Sequence, residues 1–224
     1  MHVTFRLLAG IIATLLLISL LQACHSSVAS SARTNPPQAA EPQTTDGELP
    51  QLPDRTGLRI LFICDASWTM TDLIDDSLLH LAAQIDKLDP IDTFTIIVPR
   101  ERSTLIFSRD LRDATDANRR AATEFISTIT PKNQNDFAEA LKLIDAVRPN
   151  LIHLLSDGDF DSDKFLEGLA QLNRDKQTRI NTTLFALTDQ KIEGNQRTQV
   201  MKKIAADHGG EFSVIRCDRP DAAQ

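Results

Sequence analysis

The sequence predicts an α/β fold, Rossmann-like, with a mostly parallel central sheet, one antiparallel edge strand and helices on both faces. Three observations carry this. Short apolar runs rich in β-branched residues alternate with segments of helical period between Gly57 and Cys217, the pattern of a covered, largely parallel sheet. Two of these runs, Leu58–Cys64 and Leu151–Leu155, are almost continuously apolar, as strands buried on both faces are. A third pair, Thr93–Val98 and Thr104–Phe107, is joined only by Pro99 to Ser103. That link is too short for a parallel crossover, so the pair is an antiparallel hairpin.

Taken in order, Leu58–Cys64 is a central strand, followed by a helix over Asp72–Leu88 in which Leu73, Ile74, Leu78, Leu81 and Ile85 recur at helical spacing. The hairpin over 93–107 lies at an edge. Helices over Ala114–Ile129 and Asp136–Val147 lead to the second central strand, Leu151–Leu155. A helix then starts near Lys164 and runs to Asn173, with Asp161, Ser162 and Asp163 capping and charging its first turn. Thr182–Leu187 is a strand, and Asn195–His208 a helix closed by Gly209-Gly210, where the chain turns left-handed. Phe212–Ile215 is the last strand. No internal repeat interrupts this order.

Composition bounds the function. Of 224 residues 42% are hydrophobic, enough to fill a core. With 24 Lys+Arg against 31 Asp+Glu, the net charge of −7 argues against nucleic-acid binding, which needs a basic face. Three cysteines are too few for a disulfide scaffold or a four-thiolate zinc site, and no HExxH or paired CxxC suggests a zinc enzyme.

The N-terminus reads as an address. Arg6 precedes an apolar run from Leu7 to Leu21 and then Gln22-Ala23-Cys24, so residues 1–23 are expected to be a signal peptide. The run falls short of the roughly 20 residues a spanning helix needs. Leu21-Gln22-Ala23-Cys24 resembles the lipobox of bacterial lipoproteins. The resemblance implies that Cys24 is lipidated and becomes the first mature residue, and two or more acyl chains anchor a protein stably. The alternative is an ordinary cleaved signal. The expected location is extracytoplasmic, anchored to a bacterial membrane, and His25 rather than Asp after the cysteine implies the outer membrane if the host is Gram-negative. Residues 24–56 are expected to be the lipidated Cys and a flexible linker, rich in Ser and Gln and holding Pro36, Pro37, Pro42, Pro50 and Pro53. Residues 57–217 form one domain, and 218–224 a disordered tail.

Ligands of open α/β sheets bind beyond the carboxyl ends of the strands. The first strand runs into Cys64-Asp65-Ala66-Ser67-Trp68-Thr69-Met70, and the second central strand into Ser156-Asp157-Gly158-Asp159. Two carboxylates with hydroxyls make a hard oxygen site, suited to Mg²⁺, Mn²⁺ or Ca²⁺ rather than zinc.

Asp65-Ala66-Ser67-Trp68-Thr69-Met70 resembles the DxSxS-plus-Met signature of von Willebrand factor type A domains. Leu154-Leu155-Ser156-Asp157-Gly158 is similar to that family's later strand ending in Thr/Ser-Asp-Gly. The strand–helix order from Gly57 to Cys217 also matches, about three quarters of the chain. The resemblance implies a metal-ion-dependent adhesion site holding Mg²⁺, or Mn²⁺ or Ca²⁺. Ser67 and Thr69 would bind metal through their hydroxyls, and Asp65 and Asp157 would supply charge directly or through water. An Asp or Glu carboxylate of a partner protein would complete the coordination. The third family loop usually reads Gly-Gly-Thr-Asp, whereas this chain has Lys132-Asn133-Gln134-Asn135-Asp136-Phe137. Asn135 stands at the Thr position, where its carbonyl can still ligate a hard cation. Trp68, Asp136 and Asp159 are candidate partner contacts.

The expectation is therefore a membrane-anchored binding module and not an enzyme, with a metal-free interaction domain as the alternative. A haloacid-dehalogenase-like phosphatase would place its nucleophile at Asp65 and match Gly158-Asp159 followed by Asp163. Its general acid/base position would fall on Ser67, which does not transfer protons near neutral pH. Asp157, Asp159, Asp161 and Asp163 do not fit a calcium-loop register, because Ser162 occupies the glycine position. His153 is read as a core residue. Cys64 and Cys217 are expected free and buried, because the sheet order that the resemblance implies sets their strands apart.

Overall fold

A computed structural model describes residues 56–219. The expected signal peptide, the lipidation site Cys24, most of the linker and the end of the tail lie outside the described residues. The described chain ends at Arg219, whose guanidinium donates to Asp189 at 3.2 Å.

Seven strands form one sheet: β1 (Arg59–Cys64), β2 (Thr93–Val98), β3 (Leu105–Ile106), β4 (Arg112–Asp113), β5 (Leu151–Ser156), β6 (Arg179–Leu187) and β7 (Phe212–Cys217). Their spatial order is β3-β2-β1-β5-β6-β7, with β4 also on β2. All pairings from β2 through β7 across the centre are parallel, and β3 and β4 run antiparallel to β2. Among the described residues the α-helices are α1 (Ile74–Asp86), α2 (Asp116–Ile126), α3 (Ala138–Val147), α4 (Ser162–Leu172) and α5 (Gln196–Asp207).

The period-2 alternation of a strand explains why β1 is apolar almost throughout. Ile60, Phe62 and Cys64 point into one core layer, and Leu61 and Ile63 into the other. The first layer is closed by α1 and α2 through Ile74, Leu81, Ile85, Ala122 and Ile126. The second is closed by α3, α4 and α5 through Leu143, Ile144, Phe165, Leu169, Met201 and Ile204. Fully burying side chains such as Phe62 stabilises the fold by about 1.5–3 kcal/mol each. His153, half-buried rather than fully in the core, stacks on Phe62 with ring centroids 5.2 Å apart.

Three local readings are revised. The first helix begins at Ile74 rather than Asp72, because Trp68–Met70 forms a separate 3-10 turn. The 112–113 strand carries two exposed residues and hence no apolar signal. Helix α4 starts at Ser162, and Asp161, at its cap position, makes no side-chain capping bond. The closing glycine of α5 does what its position requires, Gly209 adopting φ +64°. Cys64 and Cys217 are free and buried. Three strand spacings separate β1 from β7, about 14 Å, beyond disulfide reach.

Candidate metal centre at the strand tips

The parallel register builds the site. Cys64 pairs with Leu155, so the next residues, Asp65 and Ser156, emerge side by side at the carboxyl edge of the two central strands. The Asp65 amide donates to Leu155 O at 2.8 Å. Asp65 is fully buried, and both its oxygens are engaged. Oδ1 accepts the Ser67 amide at 2.8 Å and the Ser67 hydroxyl at 2.7 Å, while Oδ2 accepts the Ser156 hydroxyl at 2.6 Å. With its proton on Asp65, Ser67 Oγ presents its lone pairs to the neighbouring Thr69 Oγ1, 3.0 Å away.

Asp157 closes the other side. Its Oδ1 accepts the Asp159 amide at 3.0 Å, and its Oδ2 accepts Arg197 Nη1 at 3.0 Å. Burial and then the Asp65 charge raise its pKa, partly offset by the Asp159 amide, Arg197 and Thr69. Gly158 donates its amide to Ser156 Oγ at 2.9 Å, which fixes the turn.

The third loop is clasped onto the first. Lys132 N donates to Ala66 O (2.8 Å) and Trp68 N to Asn133 O (3.1 Å), while Glu101 N donates to Gln134 O (3.0 Å). Buried Arg100 ties its start through Nη2 to Thr130 O at 2.5 Å. Asn133 adopts φ +57°, the left-handed region that Asn tolerates better than most residues. Asn135 is the anomaly. Both polar atoms of its side chain are buried without a hydrogen-bond partner, a costly state for an amide.

The expected contact residues divide. Trp68 is 61% exposed beside the site. Asp136 is exposed but accepts the Ala138 amide at 2.9 Å, so it also caps α3. Asp159 is held by Arg197. Among the described residues no three His, Cys, Asp or Glu side chains converge on one ion position. The oxygen set is two carboxylates, two hydroxyls and the orphaned Asn135 amide, a composition that fits a hard divalent cation.

Sequence reading misses Arg197. It lies 40 residues from Asp157 and outside both motifs. The available signal was a cation in the first turn of a helix, where the helix dipole disfavours it. A polar cleft of about 370 Å³ opens next to this pair, lined by Gln190, Lys191, Asn195 and Thr198.

The chain matches no protein-family model and no curated protein. Solved structures do match. A von Willebrand factor type A protein from Catenulispora acidiphila superposes with TM-score 0.58 at 18% identity, over 72% of this chain and 39% of that one. The manganese-loaded TRAP protein of Plasmodium vivax gives 0.52 at 15% identity, over 72% and 69%. The pilus adhesin SpaC of Lactobacillus rhamnosus GG, in an open conformation, gives 0.54 at 10% identity, over 71% and 28%. The aligned region thus spans well under half of the first of these proteins. The chain has the von Willebrand factor type A fold.

Proposed function

We propose that this domain binds another protein through a divalent cation held at the tips of β1 and β5. The observation that carries the reading is Asn135: a buried amide with neither polar atom partnered, on a loop clasped to the Asp65–Thr69 segment. Buried polar groups are otherwise almost always satisfied, and a cation bound by the Asn135 carbonyl would satisfy its Oδ1, the acceptor half of that amide. Ser67, Thr69, Asp157 and Asn135 would hold the ion, and Asp65 would orient Ser67 and add charge. The cation, Mg²⁺ or alternatively Mn²⁺ or Ca²⁺, would supply the positive charge that an Asp or Glu carboxylate of the partner recognises. Trp68 stands exposed beside that position, where an aromatic anchor strengthens an interface. The manganese-loaded state of the Plasmodium TRAP protein and the adhesin role of SpaC support the same reading.

In this reading the domain acts by binding and not by catalysis. The Leu21–Cys24 motif supports a lipid anchor at Cys24 and an extracytoplasmic location, with the Pro-rich segment as the stalk. Labelling cells with radioactive palmitate tests the anchor: incorporation that disappears in Cys24→Ser is expected, and incorporation unchanged by that substitution contradicts it.

A second reading, a metal-free interaction domain, is favoured by one observation: the Arg197 guanidinium already pairs with both Asp157 and Asp159. Calorimetric titration of Mn²⁺ into wild type and Asp65→Ala separates the two. Binding that Asp65→Ala abolishes supports the cation reading; no binding to either supports the metal-free one.

A further inference from the structure

Arg197 is placed by packing. Gly158 adopts φ +79°, and a Cβ there would lie 2.9 Å from both the Cβ and the backbone O of Arg197. The 156–159 turn and the first turn of α5 are therefore in direct contact. From that contact the guanidinium forks onto two carboxylates, Nη1 to Asp157 Oδ2 at 3.0 Å and Nη2 to Asp159 Oδ2. Asp157 is the buried member, its side chain 4% exposed, whereas those of Arg197 and Asp159 are 39% and 43% exposed. Since Asp157 Oδ1 accepts the Asp159 amide, both oxygens of the candidate ligand are engaged.

We propose that Arg197 is a tethered counter-cation that competes with the divalent ion for Asp157, so that metal entry and rupture of the Arg197–Asp157 pair are one coupled event. The proposal rests on the metal-site reading above. A dication on Asp157 and a guanidinium on the same carboxylate repel at close range, in a setting where burial weakens screening. One carboxylate does not compensate both. The fork supplies the escape route: Arg197 gives up Asp157, keeps the more exposed Asp159, and stays tethered at the rim. Without metal, the same arginine relieves the repulsion between Asp157 and Asp65. Affinity for the ion is then set by this exchange as well as by the oxygen ligands.

The test is Mn²⁺ binding to the full-length chain, followed by the paramagnetic signal of the free ion, in wild type, Arg197→Gln, Arg197→Lys and Asp65→Ala. Arg197→Gln is expected to bind Mn²⁺ about tenfold more tightly than wild type, within the usual range of coupling between linked sites. Arg197→Lys, which keeps the charge but loses the fork, is expected in between, and carries the comparison if Arg197→Gln does not fold. In chelator, Arg197→Gln should melt below wild type, and Mn²⁺ should recover at least that difference. Equal Mn²⁺ affinity in wild type and both arginine variants, with binding lost in Asp65→Ala, overturns the competition and leaves the metal site standing. No Mn²⁺ binding by wild type or either arginine variant overturns both.

Discussion

The Ser156 hydroxyl donates to Asp65 Oδ2 at 2.6 Å, joining the tips of the two central strands across 91 residues of sequence. The same hydroxyl oxygen accepts the Gly158 amide, so one side chain aligns the carboxylate after β1 with the turn after β5. Ser156→Ala removes the hydroxyl donor to that oxygen in a fully buried setting. It is expected to destabilise the domain by about 1–3 kcal/mol, read as a lower denaturation midpoint at unchanged slope. Wild-type stability in that variant would show that the bond contributes nothing to the alignment.

Asn135 makes the second prediction. Asn135→Ala removes both orphaned polar atoms, so without metal it should be neutral or stabilising, while weakening divalent binding. Asn135→Thr, which restores the hydroxyl found at this position in the resembled family, should retain or strengthen that binding. Metal affinity unchanged in Asn135→Ala would remove Asn135 from the ligand set.

His153 makes the third. Burial, and secondarily Arg179 and His80, lowers its pKa to about 4 from the ordinary 6.5. The folded value lies below the unfolded one, so the unfolded chain takes up the proton first. Stability is therefore present above the unfolded value and is lost as pH falls from about 6.5 toward 4. His80 and His208 are shifted in the same direction, each mainly by burial. The His153 contribution is at most about 3 kcal/mol. Denaturation midpoints at pH 7 and pH 4.5 should differ less in His153→Phe, which keeps a ring against Phe62, than in wild type. An undiminished pH dependence in that variant would assign the acid sensitivity elsewhere.

Trp68 makes the fourth. Its side chain is largely exposed, so Trp68→Ala should change stability by no more than about 0.5 kcal/mol. Partner binding should weaken by about 2 kcal/mol or more if Trp68 is an anchor. A stability loss with unaffected binding would make Trp68 a packing residue instead.

Much of this was legible in the sequence, for identifiable reasons. The β1 and β5 runs are apolar because both faces are covered, and the Pro99–Ser103 link admits only a hairpin. Asp65, Ser67, Thr69 and Asp157 sit next to strand ends, so local pattern finds them. Arg197 carries only the weak signal of a cation in a helix's first turn, because its partners come from tertiary packing of α5 on the Gly158 turn. Strand β4 escaped because Arg112 and Asp113 are exposed and only two residues pair. The helical pattern extends ahead of the first helix because Leu73, apolar and buried, lies between the 3-10 turn and Ile74. The unsatisfied state of Asn135 is a property of its surroundings, which residue type alone does not display.

The most direct measurement is a thermal-unfolding titration of the protein with Mg²⁺, Mn²⁺ and Ca²⁺ against chelator, in wild type and Asp65→Ala. A cation site in the folded state predicts a saturable rise in melting temperature with at least one ion. That rise corresponds to about 2.7 kcal/mol at a hundredfold excess over the dissociation constant, and it should be absent in Asp65→Ala. Identical melting in chelator and in every ion, including when acetate is added to stand in for a partner carboxylate, would contradict the metal centre.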